Sequence, residues 1–574
     1  MVKKTAIIFL FFLSVYSCSD NHVDVASLKA NGGARYGGEF RFMSTEKITS
    51  LFPLATSDVY NQRLSSQIFE TILKIDFRKN KVVPHLAESY HISPDAKKFT
   101  IKMKEGIYFQ DDDCFSGGSG REVNAEDVKF MLDFACSGLK INEMSWMLVD
   151  KIKGAKEFNK KSKITLPDGG VKGIQVVDDK TITIELVEPF VSFEKILTHS
   201  SLSLFPKEAW ETYKHGIKKH PVGTGPFQLS EFASDKVVLN RNSNYWRKDD
   251  FGNQLPFLEK VILTYVNDKK SELFAFRKKE IDLVLEIPVD EIDNVLGTLQ
   301  EAQAGKTVKH KIDSKNSLSS TYFGFAHDVA PFNDLKVRQA FNLAIDRKAI
   351  IDKNLKGEGY PALNGFVPQI EGYTTERVKG FRTNISKAKQ LMAQAGYPEG
   401  KNFPAIELYV NSKEGSSVYM MAKGVLDQLN ANLNLNLQLK LCSLEERDKA
   451  INEKKALFWR GGWIADYPDP ENFLSLFSSE HVGGNSMTMN QMKYISQEYD
   501  RLLNMAMKER NSKIRNEFFI KCDQLLIDDA VIMPLLNDDF ITMINSKIKN
   551  FETNSMEGLD FSSIFIKEPK NITE

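Results

Sequence analysis

Between Leu335 and Leu526 the hydrophobic period of the sequence switches repeatedly between helical and strand spacing, and this restricts the fold more than any other feature. Apolar residues at 335, 337, 340, 341, 344 and 345 predict an amphipathic helix over 335–351. Helices are also expected over 386–395, 418–429 and 516–526. Among them lie predicted strands over 405–409, 456–459 and 433–441, the last with Leu at every second position. Helices and strands interleaved in this way bury their apolar faces as a layered α/β body.

The preceding part of the chain carries the same mixture in smaller pieces. Glu39-Phe40-Arg41-Phe42 alternates polar and apolar residues and predicts a strand, and residues 64–73 show helical spacing. Alternation returns at Phe99-Thr100-Ile101-Lys102-Met103, and Asn124-Ala125-Glu126-Asp127 reads as an N-cap with first-turn acids, opening a helix to about 135. With strands over 174–177 and 181–186, these form a small α+β unit over about 72–204. Pro221-Val222-Gly223-Thr224-Gly225-Pro226-Phe227 is a tight turn feeding a strand. It has neither the Lys-Ser or Lys-Thr pair nor the following helix of a phosphate-cradling loop, so its glycines are read as structural.

The N-terminus points to export. Lys3 and Lys4 precede a mostly apolar run from Ala6 to Val15, about half of the roughly 20 residues that span a bilayer. Residues 1–17 are read as a signal peptide, and Val15-Tyr16-Ser17-Cys18 resembles a lipoprotein cleavage site that leaves Cys18 to be lipidated. Residues 18–35 would tether the folded body to the membrane. Of the four remaining thiols, Cys114 and Cys136 are expected to form a local disulfide, while Cys442 and Cys522 are read as packed thiols.

Composition excludes several classes of function. With 76 basic and 76 acidic residues there is no surplus charge to form a nucleic-acid surface. The nine histidines include no His-Glu-x-x-His pair, there is no Cys-x-x-Cys, and Asp111-Asp112-Asp113 is read as a solvated turn, so no metal is expected. No Gly-x-Ser-x-Gly or other recognisable catalytic set is present, which argues against an enzyme. No cofactor is called for.

The segment Arg460-Gly461-Gly462-Trp463-Ile464-Ala465-Asp466-Tyr467-Pro468-Asp469-Pro470 sets one carboxylate, Asp466, in an apolar and aromatic context. It reads as a strand running into a turn, because Pro468 disfavours helix at Tyr467. A carboxylate there is either a turn residue satisfied by backbone N–H groups or the partner of a positive group, an arginine or a ligand amine.

Several motifs, in this order along the chain, then resemble those of the family 5 extracellular solute-binding proteins that serve ABC importers. They are His85-Leu86-Ala87-Glu88-Ser89-Tyr90, Glu126-Asp127-Val128, Gly223-Thr224-Gly225-Pro226-Phe227, Arg241-Asn242-Ser243-Asn244-Tyr245-Trp246, and Phe332-Asn333-Asp334 through Arg338-Gln339-Ala340-Phe341 to Ala344-Ile345-Asp346-Arg347, together with the segment around Asp466. The resemblance implies an α/β, two-lobed periplasmic-binding-protein-like fold of class II with an extra N-terminal subdomain. Lobe I would take 36–71, 205–295 and 537–574, subdomain II 72–204, and lobe III 296–536, with crossovers near 290–298 and 533–535.

By the same resemblance Asp466 would hold the α-amino group of a peptide. Arg460 would meet the far end of the ligand or pair with a lobe III acid, and Trp463, beside Ile464, would wall a side-chain pocket or sit in the core. Ser57, Asp58 and Val59 would pair with an extended peptide as an added strand. Asp334, Arg338, Asp346 and Arg347 are read as structural. The implied partners are a peptide ligand, an ABC permease with its ATPase, and a bacterial membrane reached through the lipid anchor. The protein would be a monomer, periplasmic or facing outward from the cell surface. Alternative cargoes are a nickel chelate, haem or an oligosaccharide; alternative classes are an exported peptide or glycan hydrolase and a surface adhesin.

Overall fold

The computed structural model of the protein describes residues 29–56, 58–79, 81–288, 291, 310–482 and 489–567. The expected signal peptide, the lipidation site Cys18, Ser57 and most of the expected crossover at 290–298 lie outside the described residues.

Alternation in the first strand, β1 (Glu39–Ser44), turns Phe40 and Phe42 into a core and Glu39 and Arg41 outward. Its sheet also contains β8 (Phe227–Phe232), β9 (Lys236–Arg241), β10 (Lys260–Tyr265), β11 (Leu283–Leu285), β12 (His310–Asn316) and β19 (Asp539–Asn545). The order is β12-β19-β11-β1-β10-β9-β8, with β1 parallel to both its neighbours and every other pairing antiparallel. Two short antiparallel pairs, β2 (Leu73–Asp76) with β3 (Lys81–Pro84) and β20 (Ile548–Lys549) with β21 (Phe565–Ile566), stand apart from the larger sheets.

A smaller antiparallel sheet holds β4 (Ala87–Ile92), β5 (Lys98–Met103), β6 (Ile174–Asp178) and β7 (Thr181–Glu185) in the order β4-β5-β7-β6. The helix Ala125–Ala135 accompanies it, and its start is fixed by a reciprocal capping box between Asn124 and Asp127. The chain enters and leaves this unit at neighbouring points: Thr71 forms a bridge with Ser203, and Leu204 N–H donates to the Glu70 carbonyl at 2.9 Å.

Three of the sequence motifs meet at that junction. The buried Glu70 carboxylate accepts from Tyr245 Oη (2.7 Å), Trp246 Nε1 (2.8 Å) and Thr224 Oγ1 (2.8 Å), and His85 Nε2 stands 3.2 Å from Oε1. Burial opposes ionisation of Glu70, but His85 and the other donors outweigh it and hold the carboxyl below its usual range.

The second large body is built on β13 (Ser319–Phe325), β14 (Tyr360–Pro361), β15 (Glu407–Asn411), β16 (Gln438–Cys442), β17 (Phe458–Ile464) and β18 (Ile532–Asn537), ordered β14-β18-β13-β17-β15-β16. All seven residues of β13 are buried, because a core lies on each face. Tyr322 and Trp459 pack into one core, and Phe323, Phe325 and Phe458 into the other. Arg338 and Arg347 lock helices to this sheet as structural residues. Arg338 donates to the carbonyls of Ala530, Phe332 and Asp529, and Arg347 to those of Pro534 and Asn342.

Several expectations need correction. Residues 310–316 belong to the first sheet, so the chain crosses between the bodies at 317–318 rather than near 296 and returns at Asp538. The helix expected over 335–351 is two helices, Leu335–Leu343 and Arg347–Asn354, because the Asp346 carboxylate takes the Ala349 N–H at 2.9 Å and restarts the helix as its N-cap. Leu433 ends the helix Ser417–Leu433, so the Leu-rich strand is confined to Gln438–Cys442. Cys114 and Cys136 are free thiols. Cys136 is buried where it caps the helix Ala125–Ala135, and Cys114 is half-buried against the core, in a turn where its N–H donates to Asp112.

Candidate functional site

Strand β17 carries the segment singled out in the sequence. It pairs antiparallel with β13, Gly461 opposite Tyr322 and Gly462 opposite Thr321. A Cβ on Gly461 would stand 2.5 Å from the Tyr322 ring, so the glycine is required by that close approach. The chain leaves β17 at Ile464, and the next residues divide between two cores. Ala465 belongs to a core of the second body and Tyr467 to the core of the first, so Asp466 lies on the seam between them.

The surroundings of Asp466 fix its carboxylate. Asn472, on the short helix Pro470–Leu474, accepts at Oδ1 from both Trp463 Nε1 (2.9 Å) and the Asp466 N–H (3.0 Å). Its Nδ2 must therefore face the other way, and it donates to Asp466 Oδ2 at 3.0 Å. On Oδ1, His199 Nε2 lies 3.2 Å away. Oδ2 thus accepts one donor, Oδ1 has the imidazole beside it, and each oxygen retains a free acceptor position, with the side chain 16% exposed. The arrangement can accept a further cation or donor. No arginine pairs with Asp466; an imidazole stands beside it, and nothing in the local pattern around His199 signals it.

Three residues on, Asp469 is fully buried in a denser network. Its carboxylate accepts from Arg515 Nη1 (2.9 Å) and Nη2 (2.8 Å), Lys195 Nζ (2.8 Å), Ser192 Oγ (2.7 Å) and the Glu471 N–H (3.0 Å). Burial works against its ionisation, yet Arg515 and Lys195 more than offset it and hold the carboxyl far below the usual range. Arg515 belongs to the second body, whereas Ser192 and Lys195 come from the segment ahead of His199, so this network also crosses the seam. The Asp-Pro pair announces the helix-capping role of Asp469, but not its partners.

The other expected residues are distributed as follows. Arg460 lies on β17 with Nη2 3.1 Å from Thr321 Oγ1, and its Nε is buried without a partner. It faces a small cavity of about 60 Å³ that it shares with Glu358, Asp538 and Asp539, and forms no ion pair with them. Trp463 is half-buried and meets Trp146 edge to face at 6.5 Å, one ring from each side of the seam. Ile464 is half-buried opposite Ser319. Asp58 has extended backbone but caps the helix Val59–Ser65 by accepting the Asn61 N–H at 2.9 Å. Val59 is thus the first helical residue and cannot continue a peptide-pairing strand, which limits that expectation to the residues before it. Beyond Tyr467 a cavity of about 1020 Å³ opens between the bodies, walled by Trp146, Phe190, Tyr467 and Met507 and rimmed by lysines including Lys151 and Lys508. Among the described residues there is no cluster of metal-ligating side chains and no helix long and apolar enough to cross a membrane.

Two large α/β bodies joined by two crossings, with a capped polar site on the seam between them, define the two-lobed class of ligand-binding proteins. The chain belongs to the bacterial extracellular solute-binding proteins, family 5, whose model matches residues 81–485. It is 26% identical over 496 residues to heme-binding protein A of Haemophilus influenzae, covering 85% of this chain and 84% of that protein. It is 24% identical over 522 residues to the glutathione-binding protein GsiB of Salmonella typhimurium, covering 90% and 93%. Among solved structures it is similar to the ABC transporter-associated periplasmic binding protein DppA of Helicobacter pylori in complex with peptide STSA. The TM-score is 0.77 at 23% identity, over 93% of this chain and 99% of that one.

Proposed function

We propose that this protein captures peptides through their terminal ammonium group at Asp466 and delivers them to the permease and ATPase of an ABC importer. The observation that carries the reading is the Asp466 carboxylate, held in place on the seam with one acceptor position open on each oxygen. A primary ammonium supplies the donors and the charge such a site lacks, and a charge-assisted bond of this kind is roughly twice as strong as a neutral one. Glutathione and the peptide STSA, bound by two similar proteins, both carry an amino group; haem, bound by a third, does not. Arg460, with its unpaired Nε, is a second contact for the ligand.

The ligand bridges both bodies and so favours their approach. Converting a mostly open population to a mostly closed one takes about 5.5 kcal/mol of differential affinity. Lipidation at Cys18 would keep the monomeric protein at the outer side of a bacterial membrane, beside its permease.

Calorimetry with a pool of tri- to pentapeptides and the same pool N-acetylated tests the assignment. The expected result is at least tenfold tighter binding of the free-amine pool, a preference that Asp466→Asn abolishes. Equal affinity for the two pools rules out an ammonium anchor, and binding of hemin in their place moves the cargo to the haem class.

A further inference from the structure

His199 is buried, with 5% of its side chain exposed, and lies directly before the short helical turn Ser200–Leu202. Its Nδ1 accepts the Ser201 N–H at 3.2 Å, so that nitrogen presents a lone pair and the ring proton of the neutral imidazole sits on Nε2. Nε2 is the atom that stands 3.2 Å from Asp466 Oδ1. The neutral imidazole therefore turns its protonated nitrogen toward the carboxylate, and Ser201 fixes the tautomer that makes this possible.

The two braces on Asp466 come from different bodies. Asn472 is anchored on the same body as Asp466, through Trp463 and the backbone of Asp466. His199 arrives from the other side, at the end of a segment that is tied down at its start as well. Ser192 and Lys195 hold Asp469, and Lys195 also donates to the Pro468 carbonyl at 3.0 Å. The segments 192–199 and 466–469 are thus pinned to each other at both ends.

We infer that His199 is a positioning residue of the ammonium site, orienting the Asp466 carboxylate from the opposite body so that the site is complete only when the bodies are together. This rests on the reading of Asp466 as the ammonium anchor. His199 acts through Asp466 and not on the ligand. With His199 and Asn472 each holding one oxygen, the two free acceptor positions point in fixed directions. When the bodies part, the carboxylate keeps Asn472 alone and can turn about its last bond. Closure therefore raises the affinity of a group that already binds in the open form, which couples the amino end of the ligand to the motion without any further contact.

The test compares wild type, His199→Leu and His199→Gln by their affinity for the tri- to pentapeptide pool and for its N-acetylated counterpart. The glutamine amide places an N–H donor where Nε2 stands; leucine fills the space without one. The expected outcome is that His199→Leu lowers the free-amine preference three- to tenfold and that His199→Gln restores it to within about twofold of wild type. The preference is a ratio within one protein, so a general loss of stability cancels. If His199→Leu keeps the wild-type preference, or if His199→Gln loses it as fully as leucine does, the positioning role is overturned while the Asp466 anchor stands. A wild-type protein that does not distinguish the two pools overturns the anchor, and this role with it.

Discussion

Replacing Asp469 by Asn removes the negative centre of the network that ties Arg515 of the second body to Lys195 and Ser192 of the smaller unit, which shares the core of the first. The site is fully buried on the aspartate side and 10% exposed at Arg515, while Lys195 is 29% exposed and can turn toward water. An asparagine keeps one acceptor oxygen but sets its own N–H₂ against guanidinium or ammonium donors, and it leaves Arg515 as an uncompensated buried cation. Losing one partner of a buried pair costs about 3–5 kcal/mol; the freedom of Lys195 places this case near 3. At a urea slope of about 3 kcal/mol/M the midpoint falls by roughly 1 M. Combining Asp469→Asn with Arg515→Met should cost clearly less than the sum of the two single changes, because the stranded cation is gone. The wild-type carboxyl is depressed below its ordinary 3.8, so an unfolded chain takes up the proton first. Its stabilisation is complete above about pH 4 and is lost as pH falls through the folded value; Asp469→Asn flattens the stability profile only below pH 4. A loss under about 1 kcal/mol, or simple additivity in the cycle, refutes the charge network as the link between the bodies.

Two further outcomes follow from groups at the junctions. Glu70→Leu leaves Tyr245, Trp246 and Thr224 donors unpaired in a closed site and should lower stability by about 3 kcal/mol or more, whereas Tyr245→Phe, removing one donor, should cost about 1–2; urea unfolding followed by tryptophan fluorescence distinguishes the two. Glu557 meets Arg63 at 3.1 Å, yet burial pushes its carboxyl up to about 7, with Arg63 opposing and Glu286 adding to the rise. Between its ordinary 4.5 and about 7 the folded protein holds a proton that the unfolded chain releases, so stability falls as pH rises through this window. The fall is about 2–3 kcal/mol. Glu557→Gln should erase it in unfolding midpoints compared at pH 5 and pH 7.5, and an unchanged slope in the variant would assign it to other groups.

Local patterns in the sequence carried much of the fold, because they reflect one chain segment against one core. The alternation in β1, the cap at Asn124 and the strand-to-turn reading of the segment ending at Asp466 are of this kind. The crossing at 317–318 was misplaced for a physical reason. Residues 310–316 read His-Lys-Ile-Asp-Ser-Lys-Asn and form an edge strand of the first sheet, so they lack the apolar alternation that marks a half-buried strand. In the site, Asp466 was legible because acids are costly next to Trp, Ile and Ala. His199 and Arg515 were not, because their partnership with the segment exists only after distant parts of the chain have met. The motif residues His85, Thr224, Tyr245 and Trp246 were visible one by one, and their common partner Glu70, in Ile68-Phe69-Glu70-Thr71-Ile72, was not.

The two crossings between the bodies are laced side by side: Ser317 N–H donates to the Asp538 carbonyl at 3.0 Å, and Asn537 Nδ2 to the Ser319 carbonyl at 3.2 Å. The second body is therefore an insertion whose ends are neighbours, and the strand that follows it, β19, lies between β11 and β12 in the enclosing sheet. During export the chain emerges from its N-terminus, and the order of completion is set by this arrangement. All six strands of the inserted body are outside the membrane before β19 follows, while β12 must wait for β19 to join it to the rest of its sheet. The body that starts first in the sequence is the last to be finished, and a chain cut short after Asn537 would present a completed second body beside a first sheet with an unfilled place.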